Sequence, residues 1–334
     1  MAGLRVLFIG GTGIISSGCV PRLLAAGHDL TVLNRGTTTS RPLPDGVPVL
    51  TADVRDAAAV RQALGDREFD VVVDWVAYTP EHVRSDVDFF AGRTGQYVFI
   101  SSASAYDKPP RRLPITESTP LRNPYWVYSQ EKIACEDLLV QAYRDSGFPM
   151  TIVRPSHTYD RTSVPIPGGW TQLDRMRRGL PVVVHGDGTS LWTLTHHTDF
   201  ARGFVGLLGN TRAIGEAYTI TGDDVLTWNQ IYAILGQAAG VEPHLVHVAS
   251  ATIAAAIPQW GPGLLGDKSH SAVFDNSKIK SLVPEFVATV PFEQGAREII
   301  AWRDEDPARR VVDADLDRAI DDLVRRVGDL TRTG

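Results

Sequence analysis

Cysteine is nearly absent: Cys19 and Cys135 stand far apart in a chain of 334 residues and form no CxxC pair. That argues against a disulfide framework and against a cysteine-based zinc site, and it suits a reducing cytoplasm. Long apolar runs are also missing, since none approaches the roughly 20 residues that span a bilayer. No charged and apolar leader precedes the first strand pattern. Charge of one sign does not accumulate, with 33 Lys and Arg against 39 Asp and Glu and a net charge of −6. Nucleic acid and membrane surfaces are therefore not expected partners. The expectation is a cytoplasmic protein with a small-molecule partner, no metal site, and length enough for roughly two domains' worth of core.

What is present is a rhythm. Short β-branched runs at Val6–Ile9, Leu30–Leu33, Val47–Leu50, Val71–Asp74, Tyr97–Ile100 and Thr151–Val153 alternate with longer amphipathic stretches. Helices are expected at Cys19–Ala26, Ala57–Leu64 (with Asp56 as N-cap), Pro80–Phe90 and Tyr128–Tyr143. This is the βαβ pattern of an α/β fold, a Rossmann-type doubly wound parallel sheet, over residues 1–160. A return segment is expected near 182–225, from Val182–Val184 or Ala217–Thr221. Residues 161–330, looser and rich in Pro and Gly, read as a smaller mixed α/β domain that mainly binds substrate. Its end, 303–330, reads as an amphipathic helix with Val311, Leu316, Ile320 and Leu323 on the apolar face.

The stretch GGTGIIS, residues 10–16, joins the first strand to a helical segment. Gly10, Gly11 and Gly13 permit a tight turn, and the amides of Thr12, Ile14 and Ile15 open a helix whose start suits a pyrophosphate. Ser16 stands where such turns carry a third glycine, a small departure. The second strand ends in Asn34-Arg35 instead of a carboxylate. Asn34 can bond a ribose hydroxyl and Arg35 can pair with a 2′-phosphate or stack on adenine, so NAD is expected with NADP left open. Asp53 and Val54 after the third strand, and Ala77 after the fourth, are candidate adenosine-side and cofactor-side contacts.

Further on, Ser101-Ser102-Ala103-Ser104-Ala105-Tyr106 ends the fifth strand, and Tyr128-Ser129-Gln130-Glu131-Lys132 opens a helix. Tyr128 and Lys132, four apart, share a helical face. A nearby ammonium favours phenolate, so Tyr128 is expected to have its pKa lowered towards neutrality and to serve as a base.

With these motifs in place, the chain resembles the extended short-chain dehydrogenase/reductase family, in particular its NAD-dependent epimerase/dehydratase members. The resemblance runs on through IVRPSHTY at 152–159, LTHHTDFARGF at 194–204 and VPFEQGAREIIAW at 290–302. Ser16 and the NRG after the second strand make it look like the atypical branch that includes chloroplast stem-loop-binding proteins. The resemblance implies that Ser102, Tyr128 and Lys132 form the catalytic triad. It implies that Tyr128, Lys132, Pro155 and His157 lie against the nicotinamide side of the cofactor. Ser104, His157 and Trp192 are candidate substrate contacts, and a homodimer through residues 80–90 and 128–143 is implied as well.

Two departures shape the functional expectation. Family 4,6-dehydratases carry Asp-Glu after the residue matching Ser102, where this chain has Ala103-Ser104. Many nucleotide-sugar enzymes of the family grip a diphosphate with an arginine four residues before the histidine matching His196, where this chain has Trp192. The adjacent His196 and His197 would point to opposite faces of a strand, which speaks against shared metal chelation. The leading expectation is an NAD-dependent epimerase acting on a sugar ring through a transient ketone, its substrate a nucleoside, nucleotide-sugar or glycosylated metabolite. The alternatives are an NADPH-dependent ketoreductase and a non-catalytic dinucleotide sensor or RNA-binding relative.

Overall fold

The computed structural model describes residues 3–37 and 40–332. The first half alternates β1 (Arg5–Ile9), α1 (Ile14–Ala25), β2 (Asp29–Asn34), β3 (Val49–Thr51), α2 (Ala57–Leu64), β4 (Phe69–Asp74), α3 (Pro80–Phe90), β5 (Thr94–Ile100), α4 (Val127–Ser146) and β6 (Met150–Pro155). The second half continues with β7 (His157–Tyr159), α5 (Gly169–Arg177), β8 (Val182–His185), β9 (Leu191–Trp192), β10 (Leu194–His196) and α6 (His197–Val205). After these come β11 (Ala217–Ile220), β12 (Leu226–Thr227), α7 (Trp228–Ala238) and β13 (Leu245–Val248).

Seven strands form one parallel sheet in the order β11-β6-β5-β4-β1-β2-β3. The chain starts at β1, runs out to β3, then crosses back to β4, so the switch point lies between β1 and β4. Ligands of such sheets bind there, at the carboxyl ends of the strands. Strand side chains alternate between two cores, because helices cover both faces. Val6, Phe8, Val71, Val73 and Val98 face one way with Phe200 and Phe204 of α6, while Leu7, Ile9, Val72 and Phe99 face the other with Val83, Cys135 and Leu139. Both cysteines are buried free thiols. No helix among the described residues is long and apolar enough to cross a membrane.

The return strand is β11, paired with β6, whereas β8 joins β13 in a small separate sheet. Helices α2 and α3 occupy the expected residues, and Asp56 caps α2 by accepting the amides of Ala58 and Ala59. Other boundaries differ. The third strand shifts to Val49–Thr51, and α1 begins at Ile14, five residues earlier than expected, for a reason given below. The expected terminal helix is two elements: a helix at Phe292–Asp304 and another at Ala314–Arg332. Pro307, which cannot extend a helix from within, lies in the turn between them. Val311 falls in that break and is 72% exposed, so it is not part of the apolar face. Leu316, Ile320 and Leu323 do pack inward, against Val183, Val248 and Ile253. Buried Arg175 holds the last helix through Asp317 at 2.5 Å and Asp321 at 2.6 Å.

Candidate active site

The β1–α1 turn shows why glycine is required. Gly10 sits at φ +88°, and a Cβ there would lie 2.6 Å from Val76 Cγ1; one on Gly11 would lie 2.9 Å from Val32. The turn thus brings bare backbone to the switch point, a cradle that fits a dinucleotide pyrophosphate. Gly13 is the N-cap of α1 and has no side chain to cap with. Ser16 supplies the missing acceptor: its buried Oγ takes the Gly13 amide at 2.8 Å. The serine therefore starts the helix early. Close packing is supplied two residues on, at Gly18, where a Cβ would meet the His197 carbonyl of α6 at 2.7 Å.

Beside this turn, Gly10, Thr12, Asn34, Arg35, Asp53 and Val54 line a cleft of about 160 Å³. Asn34 Oδ1 accepts the Gly36 amide at 2.8 Å, which leaves the Asn34 NH₂ as the group free to donate. Asp53 Oδ1 accepts the Arg55 amide at 3.0 Å. Arg55, absent from the sequence reading, donates from its guanidinium to the Val76 carbonyl and closes the wall. Gly11, Gly13, Ile14 and Ile15 belong to the turn and the first turn of α1. Ala77 lies buried on the far side, its carbonyl accepting Lys132 Nζ at 2.6 Å.

A second cleft, about 310 Å³, opens at the ends of β5 and β6. It is lined by Ser102, Ser104, Tyr128, Pro155, His157 and Trp192 from the sequence reading, together with Trp126, Asp267, Lys268 and Phe274. Ser102 stands beside Tyr128 in this wall, and its hydroxyl favours the ionised form of the phenol. The Ser102 and Ser104 hydroxyls lie 2.9 Å apart, and Ser129 Oγ donates to Ser104 Oγ at 2.8 Å. Hydroxyls from two elements thus converge on one wall.

Lys132 behaves differently from the expectation. Its ammonium donates to the carbonyls of Ala77 and Ile100, the latter at 2.7 Å, and lies 5.9 Å from the centre of the Tyr128 ring. Burial dominates both groups. It pushes the Tyr128 phenol up to about 12 against the opposing effect of Ser102, and it pulls the Lys132 ammonium down to about 8. Tyr128 is accordingly a phenol at neutral pH, not an incipient phenolate.

Trp192 is both core and wall. It is 3% exposed, its ring centre lies 5.1 Å from that of Trp228, and its Nε1 donates to His157 Nδ1 at 3.1 Å. That bond leaves the neutral His157 with its proton on Nε2. Burial first, then Lys268, drives the His157 pKa down to about 3, so the ring is neutral. His196 caps α6 through Thr198 and reaches Glu298 at 3.0 Å, a structural role.

Asp267 and Lys268 escaped the sequence reading. They end a π-helical turn, Leu264–Lys268, that follows a Gly-Pro-Gly run. Asn123 holds this turn to the active-site loop, donating to the carbonyls of Ser104 at 2.9 Å and Gly266 at 2.7 Å. A Cβ on Gly266 would lie 2.8 Å from Trp126 Cβ, so the turn reaches the cleft only as glycine. Two adjacent charges after a glycine-rich run were the available signal.

Comparison with known proteins finds relatives among reductases and epimerases. A 2′-dehydrokanamycin reductase of Streptomyces kanamyceticus is 27% identical over 97% of this chain and 91% of its own. A chloroplast stem-loop binding protein of 41 kDa of Arabidopsis thaliana is 27% identical over 73% of this chain and 65% of its own length. A UDP-glucose 4-epimerase of Lactobacillus helveticus is 32% identical, but over only 45% of this chain and 51% of its own. The model of the NAD dependent epimerase/dehydratase family matches residues 6–221, from β1 through the return strand β11. With the glycine turn, the parallel sheet and this match, the chain belongs to the NAD-dependent epimerase/dehydratase family.

Proposed function

We propose that the protein reduces a ketone on the ring of a glycosylated metabolite that carries no nucleotide diphosphate, with NAD(H), the cofactor of its family. Residues 1–160 with β11 hold the cofactor, and residues 161–330 mainly shape the substrate side. The observation that carries the reading is Trp192. It stands, buried and bonded to His157, where sugar-nucleotide enzymes of the family place the arginine that grips the diphosphate. The 2′-dehydrokanamycin reductase, similar along nearly the whole chain, supports the same choice.

When bound, the nicotinamide cofactor supplies the hydride. Gly10, Gly11 and Gly13 would let its pyrophosphate approach bare backbone, where the first amides of α1, those of Ile14 and Ile15, would meet it, and Asn34, Arg35, Asp53 and Val54 would surround its adenosine. Lys132 and Pro155 would border its nicotinamide end. Tyr128, held as a phenol by burial, donates its proton to the ketone oxygen, while Ser102 bonds the same oxygen. Ser104 keeps Ser102 oriented, and the Lys132 ammonium keeps positive charge beside the oxyanion as it forms. His157 and Trp192 hold the ring.

The test is stoichiometry with a keto-glycoside: one NADH consumed per alcohol formed supports reduction. A second reading is sugar epimerisation, supported by the 32% identity to a UDP-glucose 4-epimerase over 45% of the chain. It predicts an inverted product with no net NADH consumption. Formation of that product, or no NADH-dependent chemistry at all, would sink the reductase.

A further inference from the structure

The charges around the substrate cleft do not balance. Asp267 and Lys268 are its charged lining residues. Asp267 Oδ1 lies 2.8 Å from Nζ of Lys108, a side chain with no exposed surface, so the carboxylate is already matched. Lys268 has no carboxylate within ion-pairing distance among the described residues. Its Nζ sits instead 5.8 Å from the ring centre of Trp126 and 5.7 Å from that of Trp192. His157 is neutral, as argued above, and adds nothing. The cleft therefore carries one surplus positive charge, half-buried between two indole faces that suit the flat face of a sugar ring.

We propose that Lys268 is the specificity-determining residue of the site and that the substrate is a sugar bearing one carboxylate, as in a uronoside. This rests on the reading of the Tyr128 end as the reacting end. A half-buried ammonium gains most from a partner that restores charge balance, and a single carboxylate does so. A diphosphate would bring more negative charge than one lysine offsets. A polycationic aminoglycoside would meet Lys268 as a like charge. The preference thus separates this chain from its full-length relative, whose name specifies a kanamycin derivative. The position of Lys268 is built, not incidental: its own carbonyl accepts His185 Nε2 at 2.8 Å, and Asn123 fixes the turn that carries it.

The experiment is a binding titration of the enzyme saturated with NAD, read by tryptophan fluorescence, since Trp126 and Trp192 flank the ammonium. The probes are methyl β-D-glucuronoside, methyl β-D-glucoside and methyl β-D-glucosaminide. At low salt the uronoside should bind roughly tenfold or more tighter than the glucoside, and the aminosugar more weakly than either. Lys268→Gln should bring uronoside and glucoside within about twofold, Lys268→Arg should keep the ranking, and added salt should narrow it in the wild type. Equal binding of the three probes, preference for the aminosugar, or failure of the uronoside to bind better than the glucoside overturns the proposal. The ranking is read without turnover, so the two readings fail separately. Absent NADH-dependent chemistry with the ranking intact removes the reductase alone, and a lost ranking with reduction intact removes Lys268 alone.

Discussion

The two clefts are built in opposite ways. The cofactor cleft is a backbone surface: Gly10 and Gly11 exclude side chains, α1 presents its first amides, and most of its lining comes from the strand ends of β1 to β4. The substrate cleft is a side-chain surface assembled from five separate segments, around Ser102, Trp126–Tyr128, Pro155–Thr158, Trp192 and Asp267–Phe274. Backbone cradles constrain sequence tightly and vary little in chemistry. Side-chain clefts keep the reaction at one end and change what is recognised at the other.

The sharpest test of that division is Tyr128→Phe. The phenol lies in the substrate cleft, so kcat for ketone reduction should fall by about 10²- to 10⁴-fold, while NADH affinity stays within about threefold of wild type. Stopped-flow hydride transfer and NADH fluorescence titration read the two separately. Unchanged turnover would remove Tyr128 from its role. The wild-type rate also has a pH signature. The proposed reduction would use protonated Tyr128 and charged Lys132, so the rate should hold at neutral pH and decline as pH rises through about 8, where Lys132 loses its proton.

Acid should destabilise the fold next. His157, His185 and His197, all beyond residue 155, have pKa values pushed down to about 3, 4 and 4, burial being the largest cause for each. In the unfolded chain each would titrate near 6.5. Between about pH 6.5 and 4 the unfolded chain takes up protons that the folded chain refuses, so stability rises with pH and is lost on acidification. Each group contributes up to about 1.4 kcal/mol per pH unit in that window. Urea titrations at pH 6.5, 5.5 and 4.5 should show falling midpoints. A midpoint that is flat or rising towards pH 4.5 would contradict the assignment of these rings as buried and neutral.

Much of the cofactor half was legible because periodicity and turn chemistry are local. The alternation of Val71–Asp74 with Pro80–Phe90, the Asp56 cap and the glycine turn are each contained in a short continuous stretch of chain. The pairing of Tyr128 with Lys132 was legible as spacing but not as chemistry. Four residues apart on a helix places two Cα atoms, whereas the carbonyls of Ala77 and Ile100 decide where the ammonium goes, and burial decides the phenol's pKa. Asp267 and Lys268 were illegible for a third reason. They reach the cleft through Asn123, 143 residues before Gly266 in the chain, and no local pattern carries such a contact.

The smallest effect concerns Ser16, the departure within the cofactor turn itself. If the serine were a defect in a dinucleotide turn, Ser16→Gly would tighten NAD binding. The structure argues the reverse, because Ser16 Oγ is the acceptor that satisfies the Gly13 amide and lets α1 start at Ile14. Removing it leaves that amide without its acceptor and places a second flexible residue in the first turn of a helix. Together these should destabilise the fold by about 1–2 kcal/mol. Ser16→Ala loses the same bond but gains helix propensity, so it should cost less, about 0–1 kcal/mol. Close packing of α1 rests on Gly18 against the His197 carbonyl, which neither change touches. NAD affinity should therefore stay within about threefold in both variants, while stability ranks wild type first, alanine second and glycine last. A glycine variant that binds NAD tenfold tighter at unchanged stability would show that Ser16 is a defect of the turn and not its cap.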